Sequence, residues 1–172
     1  MSLTKASVSK ILIVDDEPEI VAFIRELLTS RGYEVMGLSQ PRDVPQQLDV
    51  FRPDLCIFDF RMPFLTGADL LDTVKKRDPS VEVIFLTAQD ETSLAVDLMK
   101  RGALDFLLKP VELAQLLLSV GRALEHRRQR SPHRVRQRDV QRPAAVLVLL
   151  LDDALRRKTG KWKDKRCAQQ AR

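Results

Sequence analysis

Ile11-Leu12-Ile13-Val14-Asp15-Asp16-Glu17-Pro18 decides the fold. Four consecutive apolar residues, three of them β-branched, form a short run without alternation. Such a run reads as a strand covered on both faces. Two acids end it, and a proline follows where a helix can start. Ile20, Phe23, Ile24, Leu27 and Leu28 then recur at helical spacing. Gly32 supplies a stop.

The same alternation continues outward. Tyr33 to Leu38 reads as a second strand, and Pro41 opens a short helix through about Val50. Leu55 to Phe58 is a third strand, ended by Asp59. Ala68, Leu70, Leu71 and Val74 mark a helix that Asp78-Pro79 closes. Val81 to Leu86 is a fourth strand, and Leu94, Ala95, Leu98 and Met99 lie on the helix after it. Leu104 to Leu108 is a fifth strand, and Val111 to Leu124 carries a last amphipathic helix. Strands separated by helices pair in parallel through right-handed crossovers. The expectation is an α/β, doubly wound, five-stranded parallel sheet with helices on both faces. Sites in such sheets gather beyond the carboxyl ends of the strands.

Charge divides the chain. Residues 1–125 hold 14 Lys+Arg against 20 Asp+Glu, a net of −6, and residues 126–172 hold 15 against 4, a net of +11. The organisation expected is an N-terminal extension over 1–9, a domain over 10–125 and a basic C-terminal tail over 126–172 that is partly helical or disordered. The N-terminus is polar from Met1 to Lys10 and lacks an apolar signal core. The longest apolar run, Ala144 to Leu151, is far short of the roughly 20 residues of a membrane span. Cys56 and Cys167 form no disulfide framework or zinc motif, and Cys56 reads as a small buried apolar residue. A soluble, cytoplasmic setting is expected.

The strand ends bring together Asp15, Asp16, Asp59, Thr87-Ala88 and Lys109-Pro110. Clustered carboxylates repel, so they take up protons or hold a cation. Mg2+ favours oxygen ligands and accompanies phosphate. A lysine opposite can hold a phosphoryl oxygen as a compact charge, and a threonine hydroxyl can add a hydrogen bond. A nucleophile, a divalent ion and donors for the equatorial oxygens are what phosphoryl transfer needs. A carboxylate can itself be the nucleophile, giving an aspartyl phosphate.

Four motifs carry a resemblance. Val14-Asp15-Asp16-Glu17-Pro18, Asp59-Phe60-Arg61-Met62-Pro63 with Gly67, Leu86-Thr87-Ala88, and Asp105-Phe106-Leu107-Leu108-Lys109-Pro110 resemble, in order and spacing, the response-regulator receiver domains of two-component signalling, the CheY-like superfamily. The resemblance covers about Lys10 to Leu124. It implies the flavodoxin-like strand order 2-1-3-4-5. It further implies that Asp59 receives a phosphoryl group from a sensor histidine kinase or a phosphotransfer protein. Asp16, Asp59 and the backbone carbonyl of Arg61 would bind Mg2+, with Asp15 helping through water. Lys109 would pair with the phosphate, and the backbone of Ala88 would contact a phosphoryl oxygen. Thr87 would move toward the phosphoryl group while Phe106 turns inward. Lys109-Pro110 would be cis. The switch would act on the face of helix four, strand five and helix five, which the family uses for dimers or output contacts. Such a domain is a phosphoacceptor switch that assists its own phosphorylation and dephosphorylation, not an enzyme in the ordinary sense. Arg61 and Gln89 occupy variable sites that tune phosphoryl lifetime in the family.

Plainer readings accompany each residue. Asp15, Asp16 and Glu17 suit a helix start near Pro18. Thr87 alone is a strand-end residue, Lys109 alone a solvated one and Phe106 alone a core one; they gain weight only as a set. A flavodoxin-like cofactor binder would need a phosphate-cradling loop after strand one, where this chain has acids and no Gly-x-Gly-x-x-Gly. An aspartate-based phosphohydrolase would carry an Asp-x-Asp nucleophile after strand one, and here the lone aspartate comes third.

The tail resembles no output module. Arg127, Arg128, Arg130, Arg134, Arg136, Arg138 and Arg142 form a basic stretch broken by Pro132. Pro143 precedes a short helix expected over Ala144 to Arg157, and Lys158 to Arg172 is polar, with disorder expected. Three readings stay open: a solvated or self-associating extension, a nucleic-acid contact through clustered arginines, and a truncated remnant of a longer regulator. The alternative function is therefore a DNA-binding transcriptional regulator whose tail contacts nucleic acid.

Overall fold

A computed structural model describes residues 8–88 and 92–130, except the side chains of residues 92–95. Residues 1–7, Gln89 and the tail beyond Arg130, with its helix expected over Ala144 to Arg157, lie outside the described residues.

The elements follow in the order β1 (Lys10–Val14), α1 (Pro18–Thr29), β2 (Glu34–Leu38), a 3-10 turn (Pro41–Asp43), α2 (Val44–Val50), β3 (Leu55–Asp59), α3 (Gly67–Arg77), β4 (Glu82–Thr87), α4 (Thr92–Lys100), β5 (Asp105–Leu108) and α5 (Leu113–Arg130). The strands form one sheet in the order β2-β1-β3-β4-β5, and every pair is parallel. The flavodoxin-like order expected from the motifs is therefore the observed one. The central strands β1, β3 and β4 are buried almost throughout, because helices cover both faces. Phe58, Phe85, Leu12, Leu70 and Leu71 lie in the core on one side of the sheet.

Local chemistry explains the helix ends. Pro18 sits in the first turn of α1, where its missing N–H is not needed. Gly32 follows α1 at φ 86°, a left-handed position that glycine adopts without a Cβ clash. The stripe of α1 that is fully buried is Val21, Ile24 and Leu28; Ile20, Phe23 and Leu27 are half-buried at its margins. Thr66 caps α3 in a reciprocal arrangement: its hydroxyl accepts from the Asp69 N–H at 3.3 Å, and the Asp69 carboxylate accepts from the Thr66 N–H at 3.0 Å.

Helix α5 differs from expectation. It does not stop at Leu124 but runs to Arg130, and Arg127 is buried at 4% exposure. Its guanidinium donates to Asp54 Oδ1 at 2.9 Å, to the Ser80 hydroxyl at 2.7 Å and to Asp78 Oδ2 at 3.4 Å. Asp54 also accepts the backbone N–H of Lys10 at 2.9 Å, which ties the start of β1 into the same group. Beside it, buried Glu82 meets His126 Nδ1 at 2.9 Å, Lys75 Nζ at 3.7 Å and Arg130 at 3.8 Å. Charged residues prolong the helix here because buried partners from distant loops satisfy them.

Candidate functional site: an acidic pocket at the carboxyl edge of the sheet

Parallel strands place their carboxyl ends along one edge. Val14 ends β1, so Asp15 and Asp16 emerge there. Asp59 is the last residue of β3 and Thr87 the last of β4. Lys109 follows β5, and the Lys109-Pro110 peptide is cis. The register sets Asp59 beside Leu86 and Thr87 beside Leu108, so the four chain segments reach the edge together.

Lys109 is the centre of the group. Its Nζ lies 2.9 Å from Asp15 Oδ2, 3.0 Å from Asp59 Oδ1 and 3.3 Å from Glu17 Oε1. Asp15 and Asp59 are buried, whereas Asp16 and Glu17 are exposed at the rim. Asp15 Oδ1 accepts the Glu17 N–H at 2.9 Å, which orients the carboxylate. Asp15 Oδ2 is enclosed, and it meets Lys109 Nζ at 2.9 Å.

The electrostatics follow from this enclosure. Burial pushes the Asp59 carboxyl up to about 6; Lys109 opposes the rise, and the charges of Asp15 and Asp16 add to it. Burial also raises Asp15, against the pull of Lys109 and the Glu17 N–H. For Lys109 burial works downward, but Asp15 and Asp59 outweigh it and hold the ammonium above its ordinary range.

Carboxylate oxygens of Asp15, Asp16 and Asp59 all lie within 4.8 Å of one another. Oxygens bound to one magnesium at about 2.1 Å lie at most about 4.2 Å apart, so small rotations or one intervening water would bring the three onto a shared ion. Three carboxylates against one ammonium leave a formal charge of −2 when all are ionised. The enclosed Asp15 Oδ2, that charge and the all-oxygen donor set fit a hard divalent cation.

The remaining expected residues take supporting places. The Thr87 hydroxyl is buried and donates to the Ala88 carbonyl at 3.3 Å. Phe106 is half-buried in β5 against the core and pairs in register with Phe85. Arg61 is exposed in the loop two residues past Asp59. Gly67 closes that loop, with its N–H on the Phe60 carbonyl at 3.1 Å. A Cβ at Gly67 would meet the Phe85 ring at 2.6 Å and the Asp59 carbonyl oxygen at 3.2 Å, so no larger residue fits beneath the pocket. By sequence Glu17 suits a helix start, and no role in the pocket is expected of it. Its contact with Lys109 spans 92 residues, and no local signal could have shown it.

Residues 11–121 match the family described as the response regulator receiver domain. The chain belongs to the response-regulator receiver family. The luminescence regulatory protein LuxO of Vibrio campbellii is 38% identical over 112 residues, which cover 65% of this chain and 25% of LuxO. The DNA-binding transcriptional regulator NtrC of Proteus hauseri is 32% identical over 122 residues, 70% of this chain and 26% of NtrC. The crystal structure of a response regulator receiver domain protein from Clostridium thermocellum is similar at a TM-score of 0.64 with 34% identity, over 71% of this chain and 98% of that one. The chain thus spans about a quarter of the length of these two regulators. Receiver domains act as phosphoacceptor switches and not as classical enzymes, and the acidic pocket of this receiver is consistent with that regulatory role. Among the described residues, no helix is long and apolar enough to cross a membrane.

Proposed function

We propose that Asp59 accepts a phosphoryl group from the phosphohistidine of a sensor histidine kinase or a phosphotransfer protein, in a Mg2+-dependent reaction in the cytoplasm. The observation that carries this reading is the position of Asp59 Oδ1, 3.0 Å from Lys109 Nζ within a cluster of three carboxylates. An Asp59 oxygen attacks phosphorus, the phosphorus–nitrogen bond of the donor breaks, and the freed imidazole nitrogen takes up a proton. Asp16, Asp59 and the backbone carbonyl of Arg61 would hold the ion, with Asp15 acting through water. When bound, magnesium supplies charge neutralisation for the phosphoryl oxygens and removes repulsion among the acids. Lys109 keeps its ammonium on the phosphoryl group, and the backbone of Ala88 binds a second oxygen.

Phosphorylation adds nearly two negative charges. Thr87 closes on the new oxygens, Phe106 turns inward, and the face of α4, β5 and α5 changes its contacts. That face exposes Val96, Met99, Leu108 and Leu118, which supports a role in homodimer or output contacts. The test is labelling by acetyl phosphate with magnesium. The wild-type chain takes up phosphate and Asp59→Asn does not; equal labelling of the variant would refute the assignment.

A second reading, DNA binding through the basic tail, draws support from the net charge of +11 over residues 126–172 and from the similarity to NtrC. The full chain and one ending at Arg130 are compared for DNA binding over a salt series. A steep salt slope that disappears on truncation would favour this reading, and identical curves would remove it.

A further inference from the structure

The loop between β3 and α3 carries a feature that the phosphoryl chemistry does not use. Phe64 is fully exposed, at 103% of its reference surface, and its backbone stands at φ 71°. The Leu65 N–H donates to the Pro63 carbonyl at 2.9 Å, so Phe64 is the central residue of a γ-turn of the rarer, positive-φ kind. A bulky side chain is disfavoured there, and glycine would fit without strain. The loop is not a frayed one. Met62 is buried in the core, Leu65 packs against the core, Thr66 caps α3, and the Gly67 N–H returns to the Phe60 carbonyl. A firmly anchored turn thus holds an aromatic ring in water, in a strained conformation, five residues from Asp59. Neither folding nor the pocket explains it, because the ring is among no buried residues and is not one of the groups that meet Lys109.

Access to Asp59 supplies an explanation. The side chain of Asp59 is only 8% exposed, and its open side is the carboxyl edge of the sheet. A phosphoryl group carried on a protein side chain can reach it only if the donor's surface settles over the loops of that edge. The β3–α3 loop is one of them, since it begins at Asp59 and closes back on Phe60. A small phosphodonor needs no such seating.

We propose that Phe64 is a docking anchor for the phosphodonor protein, inserting its ring into an apolar hollow beside the donor's phosphohistidine. This rests on the receiver reading above. Exposed aromatics seated in pockets are the residues that dominate protein interfaces. The acids Asp16 and Glu17 at the rim set orientation and encounter rate, and Phe64 sets residence time.

The test uses the full chain as wild type, Phe64→Gly and Phe64→Leu. Gly relieves the backbone strain, so loss of folding is not a concern. The donors are acetyl phosphate and a panel of autophosphorylated histidine kinases from the source genome. Transfer from the kinase that labels wild type fastest is expected to fall about tenfold or more in kcat/KM for Phe64→Gly, with partial recovery in Phe64→Leu. Labelling by acetyl phosphate is expected to stay within about twofold of wild type. Unchanged transfer from the kinase overturns the proposal. Equal loss with both donors overturns it too, by showing that Phe64 acts on the pocket. So does a panel in which no kinase, used directly or through its phosphotransfer protein, labels a wild-type chain that acetyl phosphate does label. Altered sedimentation of Phe64→Gly with unchanged transfer would assign the ring to self-association and likewise overturn it. Failure of acetyl phosphate to label wild type sinks the receiver assignment itself.

Discussion

Replacing Asp59 by Asn should stabilise the protein in metal-free buffer, and the gain should disappear in acid. Burial and the nearby acids raise the Asp59 carboxyl from 3.8 to about 6 in the folded chain. A group whose pKa is raised on folding gives its full stability below the unfolded value and loses it as the pH climbs through the folded value. The window here runs from about pH 4 to about pH 6. A shift of about two pH units corresponds to about 3 kcal/mol, the amount by which the ionised carboxylate weakens the fold near neutrality. Asn keeps the shape of the neutral acid and carries no charge, so the variant escapes this loss. Lost attraction to Lys109 already enters the net shift, and imperfect amide hydrogen bonding trims the result, leaving about 1–3 kcal/mol. Urea unfolding followed by far-UV circular dichroism, in EDTA, at about pH 4 and about pH 7, measures both terms. Magnesium should then stabilise wild type more than the variant, because the variant lacks one carboxylate ligand. An Asn variant less stable than wild type near neutrality, or a difference that does not shrink in acid, would refute the reasoning.

Arg127→Met should lower stability by about 2–3 kcal/mol in urea unfolding, less than for a fully buried pair because Asp54 and Asp78 reach water once released. Phosphate uptake by the folded variant should persist, since Arg127 sits at the opposite end of β3 from Asp59. Gly67→Ala should cost about 1–3 kcal/mol and slow acetyl phosphate labelling. The Phe85 ring it strikes is fully buried and packs against Phe58 and Phe60, at 6.3 and 6.2 Å between centroids. Thr66→Ala removes the cap of α3 and should cost about 1 kcal/mol by the same unfolding measurement, with labelling unchanged.

The parallel sheet was legible because Ile11 to Val14, Leu55 to Phe58 and Val83 to Leu86 are apolar without alternation, and only doubly covered strands need that. Asp15 and Asp59 were legible because each directly follows such a run, where the edge rule places a site. What the sequence hid depends on long-range partners. Glu82 opens β4 as a buried charge, a choice that only the neighbouring Lys75, His126 and Arg130 make tolerable. Arg127 looks like the start of a basic tail until Asp54, Ser80 and Asp78, distant by 73, 47 and 49 positions, fold around it. The strained turn at Phe64 was also invisible, because backbone handedness at a non-glycine residue leaves no compositional trace.

Strand β3 has an acid at either tip: Asp54, just before it, grips α5 through Arg127, and Asp59 closes it at the pocket. Five residues of extended chain span about 17 Å, and at an effective dielectric of about 20 two unit charges that far apart interact by only about 1 kcal/mol. A change of charge at one tip therefore has little direct pull on the other. A signal passing between these two poles has to travel through the packing of β3 rather than through a field between its ends.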